Sequence, residues 1–406
     1  MKILFLTDNF PPEVNAPANR SFEHCLQWVK EGMEVTIITC VPNFPKGKVF
    51  DGYKNKWKQI EYIQGIKVIR VWSYISANEG FIKRIFDYIS FSLTSFIAGL
   101  FIKTDIIIAT SPQFFTALSG RWLSFFKRRP WVMEVRDLWP ESIVAVGAMK
   151  KNIIISFFEW LEMRLYKNAD RIIVVTDTFK DKISKRGILA SKISVHKNGA
   201  NVEMYKPQGK DPDILKETGL EEKFIFAYIG THGMAHALDF VLHSVGKLQQ
   251  SYPQFHFLFI GDGAEKNNLL TLRDRLKLKN VTMLPSVPKD QVVKYLSVMD
   301  VALVNLRKSD TFKLVIPSKI FEAAAMRKPI LLGLEGETKE LIEAYNAGIC
   351  FEPENEQDFL EKVVQISQEN IYNSCKIGCS ELSVDFNRNN IAKQMLEDIV
   401  KVVAAP

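Results

Sequence analysis

The chain is poor in the residues that build covalent or metal frameworks. It has five cysteines and six histidines in 406 residues, with no CxxC pair and no Cys/His cluster. That argues against a disulfide framework and a structural zinc site, and it fits a reducing, cytoplasmic setting. Long apolar runs are missing too. The longest uncharged stretch, residues 88–102, carries Ser90, Ser92, Thr94 and Ser95, short of the roughly 20 apolar residues that span a bilayer. The opening MKILFLTDNF is too short for the apolar core of a signal peptide and reads as a first β-strand. No internal repeat or low-complexity tract occurs. With 24% charged and 47% hydrophobic residues, the composition excludes disorder and describes a globular protein of two or three domains.

Charge is unevenly placed. Residues 1–200 hold 29 Lys/Arg against 18 Asp/Glu, and residues 201–406 hold 24 against 28, so the first half is at +11 and the second at −4. A basic half points to an anionic partner, either nucleic acid, phospholipid headgroups or a phosphorylated acceptor, although solvated lysines explain such a balance equally well. No RNA- or DNA-binding motif is present, which argues against nucleic acid.

Short apolar runs alternate with helical patterns: KILFLT, EVTIIT, KVIRVW, DIIIATS, WVMEV, RIIVVT and KISVH. Strands that are apolar throughout and separated by helices belong to parallel sheets covered on both faces. After residue 200 the pattern restarts with FIFAYIG, FHFLFIG, NVTML, VALVNL and PILLGL. The expected fold is α/β, two doubly wound Rossmann-like domains facing a central cleft at the carboxyl ends of their strands. Their bounds are placed at 1–200 and 201–385, followed by a C-terminal helix in 386–406 that packs back toward the first domain.

Three turns carry chemistry. The first β–α turn, Asp8 to Pro17, contains Asn15 and Ala16 before a helix expected near Ala18; small residues there let a sugar or phosphate approach the helix start. In the second half, Gly230-Thr231-His232-Gly233 and Gly261-Asp262-Gly263 follow apolar strands. Their glycines allow close backbone approach, but neither is GxGxxG, so a dehydrogenase is disfavoured. His232 and His236 lack a third metal ligand, and no metal is expected. The richest constellation is Pro317-Ser318-Lys319 with Glu322. A helix starting there aims amides and Lys319 at a diphosphate, while Glu322, one turn on, accepts from a ribose diol. An ordinary capped helix would read the same way.

Together with Phe10-Pro11-Pro12-Glu13, Ala109-Thr110-Ser111-Pro112, the run Glu134-Val135-Arg136-Asp137-Leu138-Trp139-Pro140-Glu141-Ser142 and Asn198-Gly199, these turns make the chain resemble, end to end, the GT-B retaining glycosyltransferases of family four. EVRDLWPES is the most specific run and is similar to a bacterial subgroup of N-acetyl-L-fucosamine transferases. The resemblance implies donor binding by Gly230, Thr231, His232, Gly233, Gly261, Asp262, Gly263, Val287, Pro317, Ser318, Lys319 and Glu322. It implies acceptor binding by Asn15, Ala16, Arg136, Asp137 and Glu141, and catalytic roles for Lys319, Glu322, Asp137 and Arg136.

The chain departs from the family pattern at several positions. Leu314 stands where many relatives have a first glutamate, and Thr231 and His236 stand where many have Arg and Lys. Arg136 replaces the usual histidine. Charge neutralisation is therefore expected to fall on Lys319, the helix dipole, the amides of 231–233 and 318–319, and Arg136 or Arg307. Asp211-Pro212-Asp213 reads as turn chemistry rather than a metal site.

The implied reaction moves a sugar from a UDP-linked donor, an N-acetylated and deoxy hexosamine such as N-acetyl-L-fucosamine, to an undecaprenyl-diphosphate-linked saccharide in O-antigen or capsule synthesis. No cofactor is expected. The implied place of work is the cytoplasmic face of the inner membrane, held by anionic lipid. Residues 81–103 and 122–131, which mix aromatics with Lys/Arg, are the candidate contacts, whereas the apolar face of 153–166 reads first as core packing. Two competitors remain: a UDP-sugar epimerase of the same fold, which needs no second sugar, and a donor-binding scaffold, which transfers nothing.

Overall fold

The computed structural model describes residues 1–44, 47–75, 81–111, 114–141 and 152–404. The chain forms two compact units, residues 1–197 with 388–406, and residues 198–387. Pro112, at the end of the Ala109-Thr110-Ser111-Pro112 run, and Ser142, at the end of the most specific run, lie outside the described residues.

The first unit is built on an eight-stranded sheet of order β3-β4-β2-β1-β5-β6-β7-β8. The strands are β1 (Lys2–Leu6), β2 (Glu34–Cys40), β3 (Lys58–Ile63), β4 (Ile66–Val71), β5 (Ile106–Thr110), β6 (Trp131–Val135), β7 (Arg171–Val174) and β8 (Ile193–Val195). Every pair is parallel except β3 with β4. All of β5 and β6 is buried, as expected of strands with helices on both faces. Each fully buried Ile or Val there stabilises by about 1.5–3 kcal/mol relative to exposure. The antiparallel β3 is absent from the sequence-based strand set. Its KQIEYI alternates between exposed and half-buried positions, the pattern of an edge strand with one wet face.

The first helix runs Ala16–Lys30, beginning at Ala16 rather than near Ala18, because Asn15 caps it: its Oδ1 accepts from Ala18 N at 2.8 Å. Pro17 fits in the first turn, where its missing N–H costs nothing. The C-terminal helix Arg388–Ala404 lies on this first helix. Trp28 Nε1 donates to Ala392 O at 2.8 Å, and Met395, Leu396 and Ile399 join the core around Phe5 and Trp28.

The second unit holds a six-stranded parallel sheet of order β11-β10-β9-β12-β13-β14. Its strands are β9 (Phe224–Ile229), β10 (Phe255–Ile260), β11 (Val281–Leu284), β12 (Val301–Asn305), β13 (Ile330–Gly333) and β14 (Gly348–Cys350). Two apolar layers sandwich it, one with Ile320 and Phe321, the other with Val241, Leu242 and Phe359. The three-residue β14 also escapes sequence reading, being too short for a period. Asp211 caps the helix Pro212–Thr218 through Asp213 N and Ile214 N, which is the turn chemistry expected of Asp-Pro-Asp.

Candidate functional site

In each sheet the strand order reverses beside the first strand of the unit, β1 against β5 and β9 against β12. Ligands of open α/β sheets bind outside the carboxyl ends of the strands at such points. In the second unit β9 and β10 run in register to Ile229 and Ile260, and each is followed by a glycine. Gly230 has φ 148° and Gly261 has φ 149°, conformations that side chains resist. A Cβ on Gly261 would stand 1.8 Å from Gly230 O, and one on Gly230 would stand 2.8 Å from Lys319 Nζ. The two turns therefore lie against each other, with Lys319 reaching over the first.

Backbone pairing holds the turns. His232 N donates to Asp262 O and Glu265 N to His232 O, each at 2.9 Å, and Gly263 N donates to Asp262 Oδ1 at 2.8 Å. The expectation that the amides of 231–233 all face a phosphate is corrected here: the His232 amide already serves Asp262. Under the turn the His232 ring is buried with neither nitrogen hydrogen-bonded. Burial, then Lys266 and Lys319, lower its pKa to about 4, so it is a neutral wedge at pH 7. Thr231 and Asp262 are exposed, Gly233 and Gly263 half-buried.

Lys319 opens the helix Lys319–Ala325. Its ammonium lies 3.8 Å over the Tyr228 ring, a cation–π contact, and Tyr228 Oη donates to Thr231 O at 2.7 Å. Burial lowers the Lys319 pKa to about 8, with Glu322 opposing. Glu322 sits one turn on, half-buried, and Pro317 and Ser318 precede the helix. The helix is not side-chain capped. Ile320 N donates to Pro317 O and Phe321 N to Ser318 O, so its first turn is tightened on itself. Val287 packs on the core below.

Arg307 does not fit the expected role of a phosphate cation. Its Nε donates to Met234 O at 2.7 Å, and its guanidinium pairs with Asp239 at 3.1 Å and Glu354 at 3.2 Å. It braces the turn after β9. Tyr228 was missed because a tyrosine in FIFAYI reads as core; only its place at the strand end hints otherwise.

In the first unit, EVRDLWPES divides into core and rim. Glu134 is buried and pairs with the buried Arg20 at 2.9 Å, and Trp139 stacks on Phe114 at 4.7 Å between centroids. These residues are structural. Arg136 is half-buried; its N donates to Ser111 Oγ at 2.7 Å and its Nη1 to Pro17 O at 3.3 Å, which brings together the ends of β5 and β6 and the start of the first helix. Burial lowers the Arg136 pKa to about 10, against the pull of Glu134. Asp137 follows it, half-buried. Asn15 is engaged as a cap and also donates to Asn9 Oδ1 at 2.6 Å, while Ala16 is exposed beside it. Glu141 is exposed and paired with Lys182 at 2.5 Å.

Sequence reading also missed an acidic group near the end of β1. Burial, then Asp87 and Glu13, raise the pKa of Asp8 well above the carboxylate range, and burial raises Asp87 to about 7 against Arg84. Glu13 Oε1 accepts from Asn43 N and Phe44 N at 2.8 and 2.9 Å. Nothing in the spacing of residues 8, 13 and 87 foretells their meeting. Among the described residues, no group of three or more His, Cys, Asp or Glu is placed to hold a metal ion.

Residues 17–199 match the model of the glycosyl transferase 4-like domain, and residues 210–383 that of glycosyl transferases group 1. The chain is 23% identical, over 98% of its length and 100% of the other's, to an Escherichia coli K12 protein bearing the name of a colanic acid biosynthesis glycosyl transferase, WcaI. It is 25% identical over 49% of each chain to a Bacillus subtilis protein named for a teichuronic acid biosynthesis glycosyltransferase, TuaH. In fold it is similar to sucrose-phosphate synthase from Thermosynechococcus elongatus, with a TM-score of 0.78 at 15% identity and full coverage of both chains. Anabaena HepE, solved with UDP and glucose, gives 0.72 at 17% identity over 98% of this chain and 99% of that one. With both units accounted for, the chain belongs to the family-four glycosyltransferases of GT-B fold, enzymes that use nucleotide-sugar donors.

Proposed function

We propose that this enzyme transfers a sugar from a UDP-linked donor to a lipid-linked saccharide in bacterial surface-polysaccharide synthesis. The observation that carries the donor half is Lys319: a half-buried cation on an aromatic face, over a glycine turn at the carboxyl end of β9. A site built this way gains most when a diphosphate arrives. As the glycosidic bond breaks, negative charge grows on the diphosphate, and a preorganised ammonium in a site of low polarity stabilises that charge more than it stabilises the ground state. Glu322 accepts from the ribose diol. A departing phosphate oxygen takes the acceptor proton, so no pair of acids at glycosidase spacing is required. HepE was solved with UDP and with UDP-glucose, which supports uridine as the base.

Arg136 and Asp137, with Asn15, Ala16 and Glu141, form the proposed acceptor side. The polysaccharide role draws on the names of WcaI and TuaH, and an N-acetylated deoxyhexosamine donor draws on EVRDLWPES. Among the described residues no helix is long and apolar enough to cross a membrane. The first unit nonetheless exposes Phe101, Phe125, Phe126, Ile153, Phe157 and Trp160 at 51–86%. Phe157 and Trp160 lie on the helix Ile153–Asn168, whose other face buries Ile155, Phe158 and Leu165. Core packing therefore accounts for only half of its apolar residues. A groove of about 280 Å³ beside them is lined by Trp122, Phe125, Arg121 and Arg164. Aromatics ringed by cations suit an anionic lipid surface.

The test is calorimetric titration with UDP, GDP and dTDP, followed by transfer assays with UDP-N-acetyl sugars and lipid-diphosphate acceptors. UDP preference with transfer to a second sugar is the expected result. Interconversion of the donor without an acceptor would mean an epimerase, and binding without transfer a scaffold. Flotation with anionic liposomes at rising salt tests the surface, and binding indifferent to lipid charge and salt would remove it.

A further inference from the structure

The turn after β9 holds a second ionisable group that the donor reading leaves unused. His236 ends the helical turn Met234–His236. Its Nδ1 lies 3.3 Å from Gly233 O, and a carbonyl only accepts, so Nδ1 carries the proton and Nε2 of the neutral ring is an acceptor. The ring meets the Tyr228 ring edge-on at 5.8 Å between centroids, and Lys319 Nζ lies over that same Tyr228 ring. One phenol thus carries a cation and an imidazole.

The backbone fixes this ring. His236 N donates to Gly233 O at 3.0 Å, Asn305 Nδ2 to His236 O at 3.0 Å and Arg307 N to Ala235 O at 2.9 Å. The next residue, Ala237, is held at φ 45°, a left-handed conformation that a non-glycine residue keeps only where its surroundings enforce it. The groups facing His236 are Lys319 from its helix, His232 from the same turn and Tyr228 from β9. Arg307 is paired with Asp239 and Glu354, and Lys266 and Asp262 act on His232. Burial and then Lys319 hold His236 down to about 4, with the Gly233 carbonyl opposing. At pH 7 its Nε2 lone pair would repel a phosphate oxygen, whereas the protonated ring would donate to one.

We propose that His236 is a proton-dependent ligand of the donor diphosphate, its Nε2 taking one proton from solvent as the nucleotide binds beside Lys319 and returning it when the nucleotide leaves. This rests on the donor site lying in the second unit. The sign follows from linkage: the bound diphosphate raises the imidazole from its low unliganded value. Affinity then gains up to about tenfold per pH unit as pH falls between the bound and unliganded values.

The experiment is calorimetry of the full chain with UDP, GDP and dTDP from about pH 5.5 to 8.5, in paired buffers of different ionisation enthalpy. It compares the unaltered protein with His236→Asn and His236→Lys. The terminal phosphate of UDP, with its second pKa of about 6, and Lys319 titrate in all three and cancel in the comparison. The expected result is greater proton uptake by the unaltered protein at pH 6.5 than by His236→Asn. That variant should lose about tenfold in affinity at pH 6, the worth of a charged hydrogen bond, and under about twofold at pH 8.5. His236→Lys should keep the affinity without the extra uptake, which also guards against a folding defect in the asparagine variant. Equal uptake and equal pH slopes in unaltered and His236→Asn proteins would overturn the proposal and leave the donor site standing. Failure of the unaltered protein to bind any of the three nucleotides at any pH would remove the donor site and this proposal together.

Discussion

The ends of the two sheets treat buried charge in opposite ways. Around β6 of the first unit, charges answer one another, Arg20 with Glu134 at 2.9 Å and Arg388 with Glu23 at 2.6 Å. Around β9 of the second unit, Lys319 rests on an aromatic face and the His232 ring has no hydrogen-bond partner. The first arrangement pairs its cations with carboxylates, and the second is the one proposed to take an anion from the donor. Buried charge alone therefore does not mark a site, because ion pairs perturb pKa values as strongly as catalysis does. What distinguishes the two regions is how the cation is held: a carboxylate bonds Arg20, whereas an aromatic face carries Lys319, with Glu322 as the charge acting on it.

The largest expected effect falls on the second region. Lys319→Ala should lower kcat by about 10²–10³, the loss seen when one transition-state donor is removed, with a smaller change in UDP affinity. Glu322→Ala should weaken both turnover and UDP binding. Steady-state kinetics beside calorimetry separate the two, and full activity in both variants would dissolve the contrast between regions.

Next comes a stability effect confined to the first region. Glu134→Gln leaves Arg20 buried without its carboxylate, at a cost of about 3–5 kcal/mol, read by denaturant unfolding. UDP affinity of the folded fraction should not move; a large loss would mean that the paired cluster also serves the donor.

A pH series sharpens the comparison further. Lys319, at about 8 without ligand, must be charged to hold a diphosphate, which raises its pKa. The Lys319 contribution to UDP affinity should therefore be flat below about pH 8 and fall up to tenfold per unit above it, separate from the rise at lower pH proposed for His236. Lys319→Arg, permanently charged, should abolish that fall even if it binds more weakly overall.

The smallest effect concerns Glu141, exposed and paired with Lys182. Glu141→Ala should change stability by less than about 1 kcal/mol, as exposed pairs do. A raised KM for acceptor at constant UDP affinity is the signature of the acceptor role proposed for it.

Much of the fold was legible because both sheets use strands that are apolar throughout, such as IIIAT and FHFLFI, whose burial needs helices on both faces. β3 was illegible because an edge strand with one wet face resembles a polar loop, and β14 because three residues carry no period. Lys319 and Glu322 stood out by their one-turn spacing at the start of an alanine-rich helix. Tyr228 and Arg307 did not, since an aromatic in a strand and an arginine after one look alike whether they serve a ligand or a scaffold. EVRDLWPES reads as a single functional run, yet Glu134 and Trp139 are core and Arg136 bridges backbone.

By itself, then, the sequence determined the two sheets, the glycine turns and the family, because these depend on local periodicity and short spacing. Only the tertiary structure decided which charges are paired, that Lys319 sits on Tyr228 beside His236, and that Arg307 is occupied. Those facts depend on contacts between residues far apart in the chain, such as Tyr228 with Lys319. Electrostatic energy depends on distance in space and on burial, neither of which linear order records.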